Sequence, residues 1–437
     1  MVNRFFLNIK SLFFENKTFK QTIIKNTFWL GLAEVIDRGL GFLVVILVAR
    51  HFGPEVYGQW SFAINFVMIF LFFSDFGFNT IAIREVAKDK SKSMSYIDNI
   101  LFMKLILGIM TFALIVIFAQ FLGKELQIVR LVYSLGVYLI INTFFTFFRS
   151  IFQANEKMQY ETFCRAIQSF SEVLMVVFLI FYKSSIVAIS YAFIVATLLG
   201  ILFSLFFIWN YFSKFFRKID LNICREIIKE SWPIAINGFV WSMYASFGII
   251  LLSLLKTNDA VGLYNVAYGL VPALMVIPNL FMSSIYPRLC SVHKQSENDF
   301  KKILSVILKY TLIITPIFLF LVFILSEKII MLLYGRLYVN SVVIFRILLF
   351  AVLFDYLGCI FTAIFYSTNK QMVYTKLMVG FLLLNIILCS LLIPKYSYIG
   401  LSIAMLISDS LLVSTSFLIL KKTSLKGLKI RSILKGV

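Results

Sequence analysis

The sequence predicts an all-α polytopic membrane protein, with twelve transmembrane helices in two pseudo-symmetric six-helix bundles around a central cavity. Three observations predict it. Of 437 residues, 61% are hydrophobic and 14% charged, and the mean hydropathy is +0.93. A soluble domain carries about 25% charged residues, and no soluble interior holds this much apolar side chain, so the solvent is lipid. Twelve apolar runs of spanning length can be laid along the chain, and the basic residues alternate in density across the gaps between them.

The elements follow in order. Residues 1–22 interleave Phe, Ile and Leu with Lys and Asn, and Phe5, Ile9, Leu12 and Phe13 share one helical face. That pattern reads as an amphipathic segment on the cytoplasmic membrane surface, not as a cleavable signal peptide. A spanning helix needs roughly 20 apolar residues. Such runs lie near 27–49, 59–83, 97–121, 129–150, 162–182 and 185–210, which make an N-lobe over 23–210. The fifth and sixth are parted only around Lys183-Ser184-Ser185. A charged cytoplasmic linker, 211–231, follows. Runs near 233–255, 264–287, 303–325, 341–365, 373–393 and 398–420 make a C-lobe over 232–420, and 421–437 is a basic cytoplasmic tail.

Orientation comes from the 41 Lys and Arg. With the N-terminus inside, twenty-nine fall on the cytoplasmic side, eight fall outside, and Arg38, Lys104, Lys309 and Arg346 lie within spans. The bias is the positive-inside pattern of a multi-pass protein with both termini cytoplasmic. It accounts for the net charge of +20 and leaves nucleic acid out as a partner. The five cysteines are dispersed without a CxxC, and His51 and His293 are far apart, so neither a disulfide framework nor a metal site is expected.

A shift of 204 residues lays EVYGQWSFA (55–63) over DAVGLYNVA (259–267). Gly58 then meets Gly262, Trp60 meets Tyr264, Asp75 meets Asn279, and Arg84 meets Arg288. Identity is low, but loop, polar spots and terminal Arg fall in register, as in a parallel repeat of two bundles.

Charges inside the spans need an explanation, since one at a helix centre costs roughly 2.5–3.5 kcal/mol on insertion scales. In WLGLAEVIDRGLGFLVV (29–45), Glu34 and Arg38 are four apart and Asp37 adjoins them, so they can pair locally. Asn142, Thr146, Arg149 and Gln153 share one face of the fourth span, and Arg165, Ser169 and Glu172 share one on the fifth. Ser402, Asp409 and Ser416 share one on the twelfth, while Asp75 and Asp409 have no evident neighbour in their own helices. Such groups face a bundle interior or a hydrated cavity. Arg84, Arg149 and Arg288, at inner helix ends, are equally served by snorkelling to headgroups, and Glu34–Arg38 by a purely structural pairing. Pro272, Pro278, Pro287 and Pro316 mark kinks in the eighth and ninth spans.

No GxxxxGK[ST], Asp-x-Asp, HExxH or TVGYG occurs, and no loop has room for a catalytic domain. The expectation is a carrier, not an enzyme.

WLGLAEVIDRGLGFLVVILVARHFGPEVYGQWSFA, followed by SDFGFNTIAIREVAK and FFRSIFQANEKMQY, resembles the N-terminal part of polysaccharide-biosynthesis flippases. The likeness rests on Ala49, Arg50, Gly53, Pro54, Tyr57 and Gly58, then Asp75, Gly77, Arg84 and Glu85, and is strongest over 26–160. It implies a MATE-like fold of the oligosaccharide-lipid flippase superfamily. It also implies turning an undecaprenyl-pyrophosphate-linked repeat unit from the cytoplasmic to the periplasmic leaflet of a bacterial inner membrane, for O-antigen or another surface polysaccharide. Lipid II flippases of that superfamily usually carry two further C-terminal helices, which points to the O-antigen type.

A pyrophosphate and a glycan call for cations and hydrogen-bonding groups. Arg38 and Arg346 are the deepest cationic candidates, Arg84, Arg149, Arg165 and Arg288 suit a cytoplasmic funnel, and Asn142 suits the sugars. Glu34, Asp37, Asp75 and Asp409 are candidates to bind a coupling ion, H+ or Na+; no cofactor is expected. The partners implied are the lipid-linked oligosaccharide, membrane lipids, and a polysaccharide polymerase with other export machinery. Two other readings stay open: a MATE-type multidrug/cation antiporter, and a scaffold for glycan-synthesis enzymes.

Overall fold

The structure is a computed structural model that describes residues 18–90, 93–209 and 219–423. The expected amphipathic segment 1–22 therefore lies outside the described residues except at its end. The same holds for the tail 421–437 beyond Thr423 and for the first part of the linker 211–231. Every regular element among the described residues is helical.

The first helix, α1 (Phe19–Ile69), starts at Thr18, whose side chain accepts from the Gln21 N–H. It bends at Gly53-Pro54, where Gly53 has φ 73°. Two short pieces follow, α2 (Leu71–Asp75) and α3 (Phe78–Lys88). The break between them is left-handed at Phe76 (φ 49°) and Gly77 (φ 76°). A Cβ on Gly77 would also sit 3.0 Å from Ile234, so glycine satisfies both backbone and packing there. Then come α4 (Ser93–Gln120), α5 (Leu126–Ala154), α6 (Met158–Phe181), α7 (Ile186–Trp209) and α8 (Leu221–Leu255). The fifth and sixth expected spans are thus separate helices. The linker region is already helical from Leu221, and Asn99 holds its start by accepting from the Asp220 N–H and the Cys224 thiol.

The eighth expected span is divided into α9 (Asn258–Tyr268), α10 (Val271–Leu274) and α11 (Val276–Gln295), and Pro272 sits in the first turn of α10. Last come α12 (Glu297–Tyr334), a 3-10 turn (Arg336–Tyr338), α13 (Ser341–Ser367) and α14 (Gln371–Lys422). At about 1.5 Å per residue a straight helix of the 52 residues in α14 would far exceed a bilayer. It folds over at Ser397 (φ 53°), just after Pro394. Nine helical stretches among the described residues are long and apolar enough to cross a membrane, by length and composition.

The chain divides into two compact units. One takes α1 up to Phe52 and then Ala63–Ser242; the other takes Gly53–Phe62 and the residues from Met243 on. In the first, α5 packs on α7 and α3, and α6 on α7. Phe78, Ile81, Ile97, Phe145, Phe147 and Ile151 belong to its apolar core. In the second, α13 is the hub, touching α14, α12, α9 and α11. Large apolar side chains stay exposed on the outer faces, for example Leu174, Phe206, Phe320 and Leu332, as a lipid solvent permits.

Candidate functional site

In the first unit, α1 and α6 build a charged cluster inside apolar helices. Arg38 Nε lies 2.5 Å from Glu34 Oε1, the local pair expected from the spacing. A third helix position joins them: Arg165 Nη2 lies 2.6 Å from Asp37 Oδ2 and 2.9 Å from Glu34 Oε2. Ser169 donates to the other oxygen of Asp37 at 2.9 Å. Glu172, one turn on, lies within electrostatic reach of Asp37. The face Arg165–Ser169–Glu172 read from the sequence is therefore the face that meets Asp37. Backbone register is fixed nearby, where Thr162 donates to the Trp29 carbonyl at 2.9 Å and Trp29 packs on Phe163. Arg165 is 12% exposed and Arg38 51%, so the Arg165 guanidinium is enclosed with the acids while that of Arg38, bonded to Glu34, stays accessible.

Asp75 is not alone. Lys104, 0% exposed, lies 2.7 Å from Asp75 Oδ1 and donates to the Thr143 carbonyl at 3.3 Å. Asp75, Gly77 and Thr80 line a cavity of about 150 Å³ at the α2–α3 break, with Ile234, Gly238 and Ser242 of α8. Asn79 donates to Thr146 at 3.3 Å, while its buried Oδ1 has no partner.

Of the residues expected in a cationic funnel, Arg84, Arg149 and Arg165 of the first unit are each held by carboxylates. Arg149 is bound to buried Glu161 at 3.0 Å. Arg84 pairs with Glu85 at 2.7 Å and also with Glu230 of α8. Arg288 is exposed on α11, and Arg346 donates to Ser326 at 2.9 Å with its guanidinium 5.0 Å from the Phe323 ring. Asn142 is half-buried, and its stripe partners Thr146 and Arg149 are engaged elsewhere. Sequence reasoning missed Lys104, Glu161 and Glu230 as partners, because each lies on a different helix from the charge it neutralises.

In the second unit, Tyr244 of α8 donates to Asp409 Oδ1, while the buried Asp409 Oδ2 has no hydrogen-bond partner among the described residues. Asp355 of α13 stands close enough for the two carboxylates to repel. Ser416, two turns along the predicted face, is buried with an unpartnered hydroxyl. Beside them, Asn385 donates to Ser408 at 3.1 Å. Among the described residues no ion pair reaches these oxygens, whereas in the first unit Glu34 and Asp37 face Arg38 and Arg165. No cluster of three or more His, Cys, Asp or Glu able to hold a metal occurs among the described residues.

The polysaccharide biosynthesis protein family matches residues 23–293, more than half the chain. The chain belongs to this family. Among relatives, a capsular polysaccharide biosynthesis protein, CapF, of Staphylococcus aureus is 26% identical over 402 residues, covering 89% of this chain and 96% of its own length. A putative O-antigen transporter of Escherichia coli is 22% identical over 279 residues, covering 63% and 66%. Two solved structures share the fold. The lipid II flippase MurJ gives a TM-score of 0.72 at 16% identity over 93% of this chain and 89% of that one. An inward-facing multidrug resistance MATE family transporter of the MOP superfamily gives 0.71 at 15%, over 91% and 99%. The family match spans the charged cluster of α1 and α6, the Asp75–Lys104 pair and Arg84.

Proposed function

We propose that this membrane protein is a flippase for lipid-linked saccharide. On this reading it carries undecaprenyl-pyrophosphate-linked repeat units by alternating access from the cytoplasmic to the periplasmic leaflet of an inner membrane, for O-antigen or another surface polysaccharide. Twelve spans in two six-helix bundles with cytoplasmic termini belong to this reading, as do lobes at 23–210 and 232–420. So do a role without catalysis and association with a polymerase. The observation that carries it is the intramembrane cluster of Glu34, Asp37, Arg38 and Arg165 within the family match. A half-exposed Arg38 beside a locked Arg165 offers guanidinium donors to a phosphate inside an otherwise apolar helix.

Coupling is assigned to the second unit. Asp409 and Asp355 present carboxylate oxygens with no ion-pair partner among the described residues, the setting in which a proton or Na+ binds in exchange for cargo movement. The same pair favours a second reading, a cation or drug antiporter, because buried carboxylates attract cations.

Deletion of the gene decides between them. The flippase reading expects lipid-linked repeat units to accumulate on the cytoplasmic face and surface glycan to fall, with restoration by wild type but not by Arg165→Gln. Intact glycan with raised sensitivity to cationic drugs would establish the antiporter and overturn the first reading.

A further inference from the structure

A groove runs between α12 and α13 in the second unit. Its cavity of about 220 Å³ is lined by Pro316, Phe320 and Phe323 on one side and Leu349, Phe350 and Leu353 on the other. The positions repeat at helical spacing on each helix, so the two seams run alongside one another for about two turns. Phe320 and Phe350 are 63% and 54% exposed, so the groove opens on the apolar outer face. Its walls carry almost no polar atoms, and a polar occupant would be stranded there without hydrogen bonds. A stretch of hydrocarbon chain fits.

One end of the groove is different. Arg346 and Ser326 continue the same two seams toward the α12–α13 turn, bonded to one another at 2.9 Å. The Arg346 guanidinium stacks on Phe323, which itself lines the groove. Arg346 is about five positions beyond Ser341, the start of α13, or about 7–8 Å along a helix. The cation thus lies near the helix ends and not at mid-bilayer. Among the described residues only Nε of its five N–H donors has an acceptor, and no carboxylate pairs with it. Glu327, next to Ser326, is exposed and makes no ion pair with it. A half-buried guanidinium at such a level suits an anion with paired oxygens, and phosphate matches that fork.

We propose that this groove is a binding site for an anionic phospholipid of the surrounding membrane, its phosphate on Arg346 and one acyl chain laid along Phe323, Phe350 and Pro316. The site stands independently of what the protein transports.

The full chain, purified and reconstituted in phosphatidylcholine vesicles, is titrated with chain-spin-labelled phosphatidylglycerol or phosphatidylcholine, and the immobilised fraction is read by electron paramagnetic resonance. Wild type should immobilise several-fold more phosphatidylglycerol than phosphatidylcholine. Arg346→Gln should bring the two to the same level, and Arg346→Lys should keep part of the preference. Leu349→Trp, which fills the groove and leaves the charge, should lower the preferential fraction too, and circular dichroism confirms that each variant is folded. Equal immobilisation of the two lipids by wild type, or a preference that survives Arg346→Gln, overturns the proposal. Displacement by millimolar inorganic phosphate, or by undecaprenyl phosphate and not by unlabelled phosphatidylglycerol, overturns it as well, by assigning Arg346 to a free anion or to the cargo.

Discussion

Arg165 shows how charge is tolerated inside a span. Its guanidinium reaches two carboxylates at 2.6 and 2.9 Å, and its side chain is 12% exposed. Removing Arg165 should cost less than the about 3–5 kcal/mol typical of a fully buried pair, because Glu34 and Asp37 are 41% and 37% exposed and Glu34 keeps Arg38. Arg165→Gln should therefore lower thermal stability in detergent and, if the proposed flippase reading holds, abolish transport, while Arg165→Lys retains more stability because it keeps the charge. A stability equal to wild type in Arg165→Gln would refute the pairing. Lys104 and Asp75 allow a sharper measurement. Lys104→Met leaves Asp75 uncompensated, and Asp75→Asn leaves a fully buried ammonium, so each single change destabilises. The double variant should be more stable than either single one, and a double-mutant cycle that is merely additive would remove the coupling. Only part of this was legible in the sequence. Glu34 and Arg38 are four apart, and Arg165, Ser169 and Glu172 share a face, so helical spacing announced both sets. That Asp37 joins them depends on a contact across 128 residues, which no local pattern encodes. Lys104 was visible only as a charge within an apolar run, and its partner lies on another helix.

Among the elements, α1 and α9 meet backbone to backbone within the second unit. A Cβ on Gly58 would fall 1.8 Å from the Asn258 carbonyl oxygen, and one on Gly262 would fall 1.9 Å from that of Pro54. The contact is reciprocal under the repeat: 58 rests on 258 and 262 rests on 54, each partner displaced by the same 204 residues. The repeat makes the two glycines equivalent, but equivalence does not announce touching, which the fold alone decides. Gly58→Val should prevent stable insertion or folding, whereas Gly31→Ala, with nothing within 4 Å, should express normally. Recovery of folded Gly58→Val at wild-type yield would show that the crossing is dispensable. The helix breaks were legible to different degrees. Pro272 signalled the division of the eighth span, while the α2–α3 break carries no proline and shows only as Gly77 after Asp75. Past that break, α3 is tied to α8 by Arg84, Glu85 and Glu230. A hydrogen bond from Lys88, and a further one from Arg84, hold the Glu85 carboxyl below its ordinary value against the opposing effect of desolvation. A depressed folded value contributes stability above the unfolded value of about 4.3, and that contribution disappears as pH falls through the folded one. Exposure keeps the effect small. Glu85→Gln should flatten this part of the acid limb of the stability profile, and an unchanged limb would exclude Glu85 from it.

At the scale of the whole molecule, the two compact units are interleaved in sequence: the second contains Gly53–Phe62, which the first half of the chain supplies. Span counting divides the chain cleanly at its middle, because hydropathy reports length and polarity but not which run packs with which. The consequence concerns separate halves. A fragment of residues 219–437 lacks the Gly53–Phe62 segment, and without it the Gly262 backbone loses the surface it rests on. Tyr338, 0% exposed in the whole chain, would also lose the Tyr57 ring packed 6.5 Å away. Opening that close-packed seam removes dispersion contacts along both helices. The fragment expressed alone should therefore be degraded, and co-expression with residues 1–209, which bring the segment, should restore a stable complex measurable by co-purification in detergent. Co-expression with a 1–209 fragment carrying Gly58→Val should fail to rescue, since the segment would be present but unable to seat on α9. A 219–437 fragment that accumulates alone as a monodisperse species would show that the second unit closes on itself without α1, and the interleaving would then have no energetic weight.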